Sequence, residues 1–244
     1  MQTIILAAGD GGRLHPATAS RPKPLLPLAG RPIIDYVLDA FVACGLREFI
    51  VVVGYEGAQI QRHLLPRQDV AINFAWNADP LAGNARSLSN AAPLLRPAPF
   101  LLAMADHLQS PTSIQAAIHA PPGSSWVMVD SLAPLDVQME GTRVQLGPDG
   151  SVRAIGKNLP AWDAIDIGLF RLEPTALEHV RLLPPAAELN DAWQTLVAAG
   201  GLRAIDVAGA WWADIDTAVD LARAETALME ARSNAARRPG LALP

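Results

Sequence analysis

The chain has 244 residues, 50% of them hydrophobic and 18% charged, with a net charge of −5 and a pI near 5.5. This composition excludes a disordered chain and is ample for one large α/β domain. The acidic balance argues against nucleic acid as a partner, and the single cysteine, Cys44, excludes an internal disulfide and a cysteine zinc cluster.

Gln2–Ala8 reads as a buried strand. The start lacks a basic region, and no apolar run reaches the ~20 residues that span a bilayer, so a cytoplasmic chain without a membrane segment is expected. After this strand come "GDGGR" (Gly9–Arg13) and "RPKP" (Arg21–Pro24). Pro32–Cys44 predicts a helix: Pro32 suits a first turn, Ile33, Val37, Leu38, Phe41 and Val42 recur at helical spacing, and Gly45 stops it. Cys44 falls in that apolar pattern and reads as a core thiol. Strands follow at Glu48–Val53, Val70–Ala75, Phe100–Met104 and Trp126–Val129, with helices at Glu56–Leu65, Asn84–Leu95 and Pro111–His119. This alternation predicts a mostly parallel sheet flanked by helices.

The pattern then changes. "VQMEGTRVQLGPDGSVRAIG" (Val137–Gly156) alternates, with turn signals at Glu140-Gly141 and Pro148-Asp149-Gly150, and predicts a small antiparallel elaboration. "AIDIGLFRL" is one more strand, and helices are expected near Glu188–Ala199 and Thr217–Ala231. Residues 1–233 read as a single domain and 234–244 as a disordered tail.

Ligands of parallel sheets gather at the carboxyl ends of the strands. Two segments fall there: the glycine-rich loop, and Ala105-Asp106-His107 after "FLLAM". Gly9, Gly11 and Gly12 expose backbone N–H groups and permit φ > 0, so the loop can wrap an anion, and Arg13 and Lys23 add two cations. The loop matches neither the Walker pattern nor the dinucleotide fingerprint. Asp166 lies inside an apolar strand and needs a partner, either a polyol hydroxyl or a structural hydrogen bond. His107 either touches a phosphate or orients its loop. Trp211 and Trp212 read as core packing, and His63, His119 and His179 have no metal-ligand spacing.

The stretch "LAAGDGGRLHPATASRPKPLLPLAGRPII" (Leu6–Ile34) resembles the signature of nucleotidyltransferases that activate sugar phosphates and related alcohol phosphates. "GNARSL" (Gly83–Leu88), "MADHL" (Met104–Leu108) and "WWADIDTAVDLARAE" (Trp211–Glu225) extend the likeness. Within that family, "MADHL", "GKNLPAWDAIDIGLF" and "ADIDT" are most similar to the CTP:inositol-1-phosphate cytidylyltransferases. The resemblance implies a Rossmann-like α/β sheet and transfer of CMP from CTP to inositol 1-phosphate or a similar alcohol phosphate, with release of pyrophosphate. It implies Arg13, Lys23 and Asp106 as catalytic residues. Leu6, Ala7, Ala8, Gly9, Asp10, Gly11, Gly12, Asn84 and Ser87 would bind nucleotide, and Lys157 and Asp166 the acceptor. Mg2+ would be held by Asp106 and Asp216, with Asp214 as a substitute for Asp216.

Each aspartate has a rival reading. Asp106 could be a strand-end turn or a helix N-cap, and Asp216 the N-cap of the helix opening at Thr217. The implied partners are an NTP and a phosphate monoester, and a homo-oligomer is compatible with the chain. Phosphocholine, or a sugar 1-phosphate with CTP, UTP or dTTP, are alternative substrate pairs. An NTP-binding regulatory module without turnover is the alternative from another class.

Overall fold

The computed structural model describes residues 1–14, 17–79, 83–184 and 186–237, with side chains through residue 231. Its centre is a parallel array. β1 (Gln2–Ala7) pairs on one side with β4 (Glu48–Val53) and on the other with β6 (Phe100–Met104), and β5 (Ala71–Trp76) extends β4. A short hairpin, β2 (Pro27–Leu28) and β3 (Arg31–Pro32), precedes α1 (Ile33–Ala43); α2 (Gly57–Leu64) and α3 (Ala85–Ala91) complete the crossovers.

β1, β4 and β6 are buried on both faces, hence their continuous apolar runs, whereas β5 is an edge strand with Ala71, Asn73 and Trp76 exposed. Ile5, Val51 and Leu101 pack one way against Leu38 and Phe41 of α1, with Ile114 of α4 (Pro111–Ile118). Ile4, Ile50 and Leu102 pack the other way with Leu88 of α3, Val180 of α6 (Ala176–Arg181) and Trp193 of α7 (Leu189–Ala198). The Trp193 ring stacks on Phe170, centroids 4.6 Å apart.

The later part joins the same sheet in mixed fashion. β11 (Ala164–Leu172) runs antiparallel to β6, to β8 (Ser125–Asp130) and to β9 (Arg143–Leu146). β9 pairs with β10 (Val152–Gly156) across the expected Pro148-Asp149-Gly150 turn, and β12 (Leu202–Asp206) adds parallel to β8. A two-stranded ribbon, β7 (His107–Gln109) with β13 (Trp212–Asp214), leads into α8 (Ala218–Arg237).

Several expectations are corrected. Val137–Glu140 is not a strand but part of α5 (Leu135–Glu140). α5 buries none of its residues, so the alternation of apolar side chains there records no sheet face; Pro134 at the N-cap and Asp136 in the first turn favour helix instead. The helix expected over Asn84–Leu95 ends at Ala91 and tightens into a 3-10 turn at Ala92–Leu94, because Pro93 has no N–H to donate. α8 starts one residue after Thr217 and continues through Arg237, so residues 234–237 are helical where a disordered tail was expected. Residues 238–244 of that tail lie outside the described residues. Among the described residues, no helix is long and apolar enough to cross a membrane.

Candidate active site

β1 and β6 lie side by side in register, Leu6 against Met104, so their carboxyl ends release two loops at one place. The Ala105 N–H donates to Leu6 O at 2.9 Å, which fastens the second loop to the first strand. Asp106 follows directly. The ribbon then imports the C-terminal segment: His107 pairs with Asp214 in register, and the Ile215 N–H donates to Asp106 O at 3.1 Å. Asp214 and Asp216 thereby reach Asp106 from more than a hundred residues away.

Lys23 enters from the other side. It opens a 3-10 turn between Pro22 and Pro24, whose fixed φ sets the direction of the chain. Its stem lies against Gly11, where φ is +66 and a Cβ would sit 2.8 Å from Lys23 Cβ, so only glycine fits this bend. Thr18 closes the loop by donating its hydroxyl to Gly11 O at 3.1 Å. Asp10 Oδ1 accepts from the Gly12 N–H at 3.2 Å, a turn internal to the loop. Leu6 is partly buried, Ala7 ends β1 buried, and Ala8 is buried too, with Ala8 O accepting from the Tyr55 N–H. Gly9 is open, with no atom within 4 Å of where a Cβ would stand.

The charges converge closely. Lys23 Nζ donates to Asp106 Oδ2 and to Asp216 Oδ1, both at 2.7 Å. Arg13 Nη2 lies 2.7 Å from Asp216 Oδ2, and His107 Nδ1 lies 2.9 Å from Asp106 Oδ1. His107 Nε2 is 3.6 Å from Asp214 Oδ2. The His107 ring rests on Gly168, where a Cβ would be 2.4 Å from Cδ2.

The titration shifts follow from this geometry. Burial opposes the Lys23 charge, but Asp106 and Asp216 outweigh it and push the ammonium up to about 12. Burial works against the Asp106 carboxylate too, yet Lys23 and His107 hold it well below the usual range. Burial would lower His107, but Asp214 and Asp106 raise it to about 9. Burial lifts Asp214 to about 6 against the pull of His107. It lifts Asp166 to about 7, opposed chiefly by the Gly168 N–H that Asp166 Oδ1 accepts at 2.8 Å.

The helix after Asp216 is capped by others: Asp220 Oδ2 accepts from the Thr217 N–H at 2.7 Å, from the Thr217 hydroxyl, and from the Asp216 N–H. The N-cap of α4 is Ser110. Both carboxylates are therefore free of capping duty and face the cations. Asp216, rather than Asp214, shares the ammonium with Asp106.

Other expected site residues are placed differently. Ser87 is buried, and its hydroxyl accepts from Asn77 Nδ2 at 3.0 Å. Asn84 Oδ1 accepts from the Leu189 N–H at 2.6 Å and so ties α3 to α7. Neither bonds to the charged cluster. Lys157 is exposed in the turn after β10, with no hydrogen bond or ion pair among the described residues. Trp211 and Trp212 pack against the core, as expected, and the Trp212 indole donates to Asp130 Oδ2 at 2.9 Å. Cys44 is half-buried, and burial raises its thiol.

Sequence reasoning missed Gly168 and Asp220. A glycine inside an apolar strand signals a bulge or a close approach, and the Thr217-x-x-Asp220 spacing signals a capping pair. Both signals were present.

The carboxylates suit a divalent cation of the hard, oxygen-seeking kind. Asp106, His107 and Asp214 bring ligand atoms within 4.8 Å of one another, Asp216 stands on the same ammonium, and Asp214 Oδ1 is buried without a hydrogen-bond partner.

A glycine loop, two cations and paired carboxylates at neighbouring parallel strand ends define the layout of a nucleotide-handling transferase of the Rossmann-like class. The chain belongs to the MobA-like NTP transferase domain family, whose model matches residues 3–192. It is 36% identical over 225 residues to a bifunctional IPC transferase and DIPP synthase of Rubrobacter xylanophilus, covering 91% of this chain and 50% of that protein. A protein of the same description from Thermococcus kodakarensis is 29% identical over 228 residues, covering 93% and 50%. The chain spans about half the length of these curated relatives. Its fold matches the structure of the inositol-1-phosphate CTP transferase from T. maritima with a TM-score of 0.83 at 21% identity, covering 92% of this chain and 94% of that one.

Proposed function

We propose that the chain transfers a cytidylyl group from CTP to inositol 1-phosphate, releasing pyrophosphate. The observation that carries this reading is the Lys23 ammonium held between Asp106 and Asp216, with Arg13 beside them, at the mouth of the glycine loop. The choice of CTP and inositol 1-phosphate rests on the described activities of the relatives.

In this reaction an oxygen of the acceptor phosphate attacks the α-phosphorus of CTP. One P–O bond forms, the bond from the α-phosphorus to the bridging oxygen breaks, and pyrophosphate leaves. Both reactants are anionic, so catalysis is mainly positioning and charge neutralisation. The acceptor oxygen is already ionised near neutral pH, so no side chain has to take a proton.

The backbone N–H groups of Gly9–Gly12 receive triphosphate oxygens, Arg13 holds the departing pyrophosphate, and Lys23 faces phosphate oxygens. Asp106 and Asp216 would hold a divalent cation, Mg2+ on this reading, whose charge would offset that of the triphosphate. Lys157 binds the acceptor phosphate and Asp166 an acceptor hydroxyl. Leu6, Ala7 and Ala8 border the base with backbone groups. Asn84, whose Oδ1 is engaged by Leu189, offers its Nδ2 to the nucleotide, and Ser87, bonded to Asn77, supports this wall.

Pyrophosphate release with Mg2+, over four NTPs against inositol 1-phosphate, phosphocholine and several sugar 1-phosphates, tests the reading. Turnover confined to CTP with inositol 1-phosphate supports it. Turnover with another pair overturns the substrates and keeps the chemistry. No release with any pair, while CTP still raises the melting temperature, overturns the enzyme reading in favour of a binding module.

A further inference from the structure

The chain contains only two lysines, Lys23 and Lys157, among 19 Lys and Arg residues. One of the two is sealed in the site: the Lys23 side chain is 9% exposed and bonds two carboxylates. All four oxygens of the Asp106–Asp216 pair are taken. Asp106 Oδ1 faces His107 and Oδ2 faces Lys23; Asp216 Oδ1 faces Lys23 and Oδ2 faces Arg13. His107 touches only the first aspartate of this pair, and Arg13 only the second. Among the described residues, Lys23 alone bridges them.

Lys23 Nζ fills the gap between the two carboxylates, so a divalent cation bridging that gap takes the place of the ammonium. Such an ion sits about 2.0–2.1 Å from its oxygens, so it and the ammonium would crowd the same gap with like charge. We propose that Lys23 is the resident counter-ion of the Asp106–Asp216 pair, and that it yields the pair to a divalent cation only when a nucleoside triphosphate arrives to receive the ammonium. This rests on the metal-and-nucleotide reading of the site.

The geometry supplies the route. Pro22 and Pro24 fix the backbone, so the exchange is a swing of the four-carbon stem and not of the loop. The stem already lies against Gly11, in the loop that receives the triphosphate. Exchange by one residue couples the two ligands: each binds better when the other is present, and by the same factor.

Two measurements test this without turnover. In the first, the chain is labelled with [13C,15N]lysine, which gives two side-chain signals, assigned with a Lys157→Arg variant. Millimolar Mg2+ alone leaves the Lys23 signal in place, and Mg–CTP without acceptor moves it. A Lys23 signal that moves with Mg2+ alone, or stays fixed while bound Mg–CTP raises the melting temperature, overturns the proposal.

In the second, Mn2+ affinity is measured by electron paramagnetic resonance in the absence of nucleotide. Lys23→Met binds Mn2+ at least about tenfold more tightly than wild type, because the competing charge is gone. Equal or weaker binding overturns the proposal, since a lysine that merely stabilised the aspartates would loosen the site when removed. Should Lys23→Met not fold, the lysine signals of the wild-type chain decide. Should CTP bind to neither protein, the functional reading falls while the Mn2+ comparison still decides the exchange.

Discussion

Gly168 interrupts β11 with φ at +73, and a Cβ there would stand 2.4 Å from His107 Cδ2 and 2.8 Å from Nε2. Gly168→Ala therefore carries two separate costs. The left-handed backbone costs an L-residue about 1–2 kcal/mol. The collision with the ring costs a further ~1–3 kcal/mol, the usual range for overpacking a well-filled site. Gly123 provides the control: its φ is +88, yet no atom lies within 4 Å of where its Cβ would go, so Gly123→Ala bears the backbone cost alone. In a His107→Ala background the collision disappears. The double variant should then be less destabilised than the sum of the single ones by about 1–3 kcal/mol. Urea denaturation of wild type, the single variants and the double variant measures each value. Additive costs, or equal costs for Gly168→Ala and Gly123→Ala, would refute the claim that Gly168 exists to seat His107. Activity gives a second reading. The ring is pushed away from Asp106, so Gly168→Ala should lose turnover together with His107→Ala.

Three further outcomes follow from the same geometry. Asp216→Asn should lower kcat/KM by about 10²–10³-fold in the pyrophosphate assay, and Asp214→Asn by less, because only Asp216 shares Lys23 with Asp106. Asp220→Ala removes the acceptor of the Thr217 N–H and should cost about 1–2 kcal/mol in thermal or urea unfolding; circular dichroism checks that α8 otherwise forms. Asp166 sits at about 7 in the folded chain, above its ordinary 3.8, so the folded state holds a proton that the unfolded state releases. Its contribution to stability therefore falls as pH rises from about 4 to about 7 and is flat above that. Asp166→Asn should flatten that part of the stability profile, and an unchanged slope would show that Asp166 is not buried against the site.

The parallel core was legible because its central strands, β1, β4 and β6, are buried on both faces. "TIIL", "FIVVV" and "FLLAM" carry no polar interruption except Thr3, and the helices between them have clean apolar spacing. The elements that were not legible gain their structure from partners far along the chain. β7 and β13 are three residues each and form only on one another, so no local pattern marks them. β12 is half-buried, without alternation, and is held by β8. α5 misled in the opposite way, since Val137 and Met139 alternate with Gln138 and Glu140 like a sheet face, yet the helix buries none of its residues and Met139 is 65% exposed. In the site, the glycine loop, Lys23 and Asp106 could be read from their place after β1 and β6. The partners of Asn84 and Ser87, Leu189 and Asn77, could not be read from "GNARSL", because they are set by packing and not by motif.

The same division explains how the site is assembled. The family model matches residues 3–192, which hold Gly11, Arg13, Lys23 and Asp106, but Asp214 and Asp216 lie beyond it. The sheet alone thus delivers two cations and one of the carboxylates on Lys23. The charge balance closes only when β13 pairs with β7 and brings Asp216 to Lys23 and Arg13. Pairing of β13 with β7 is what completes the site. Residues outside the C-terminal segment give Lys23 one carboxylate, Asp106, and among the described residues the ion-pair partner of Arg13 is Asp216 of that segment. With the ribbon in place, both cations have carboxylate partners. The ribbon's register, His107 opposite Asp214, is what fixes the distance between the two halves of the carboxylate set.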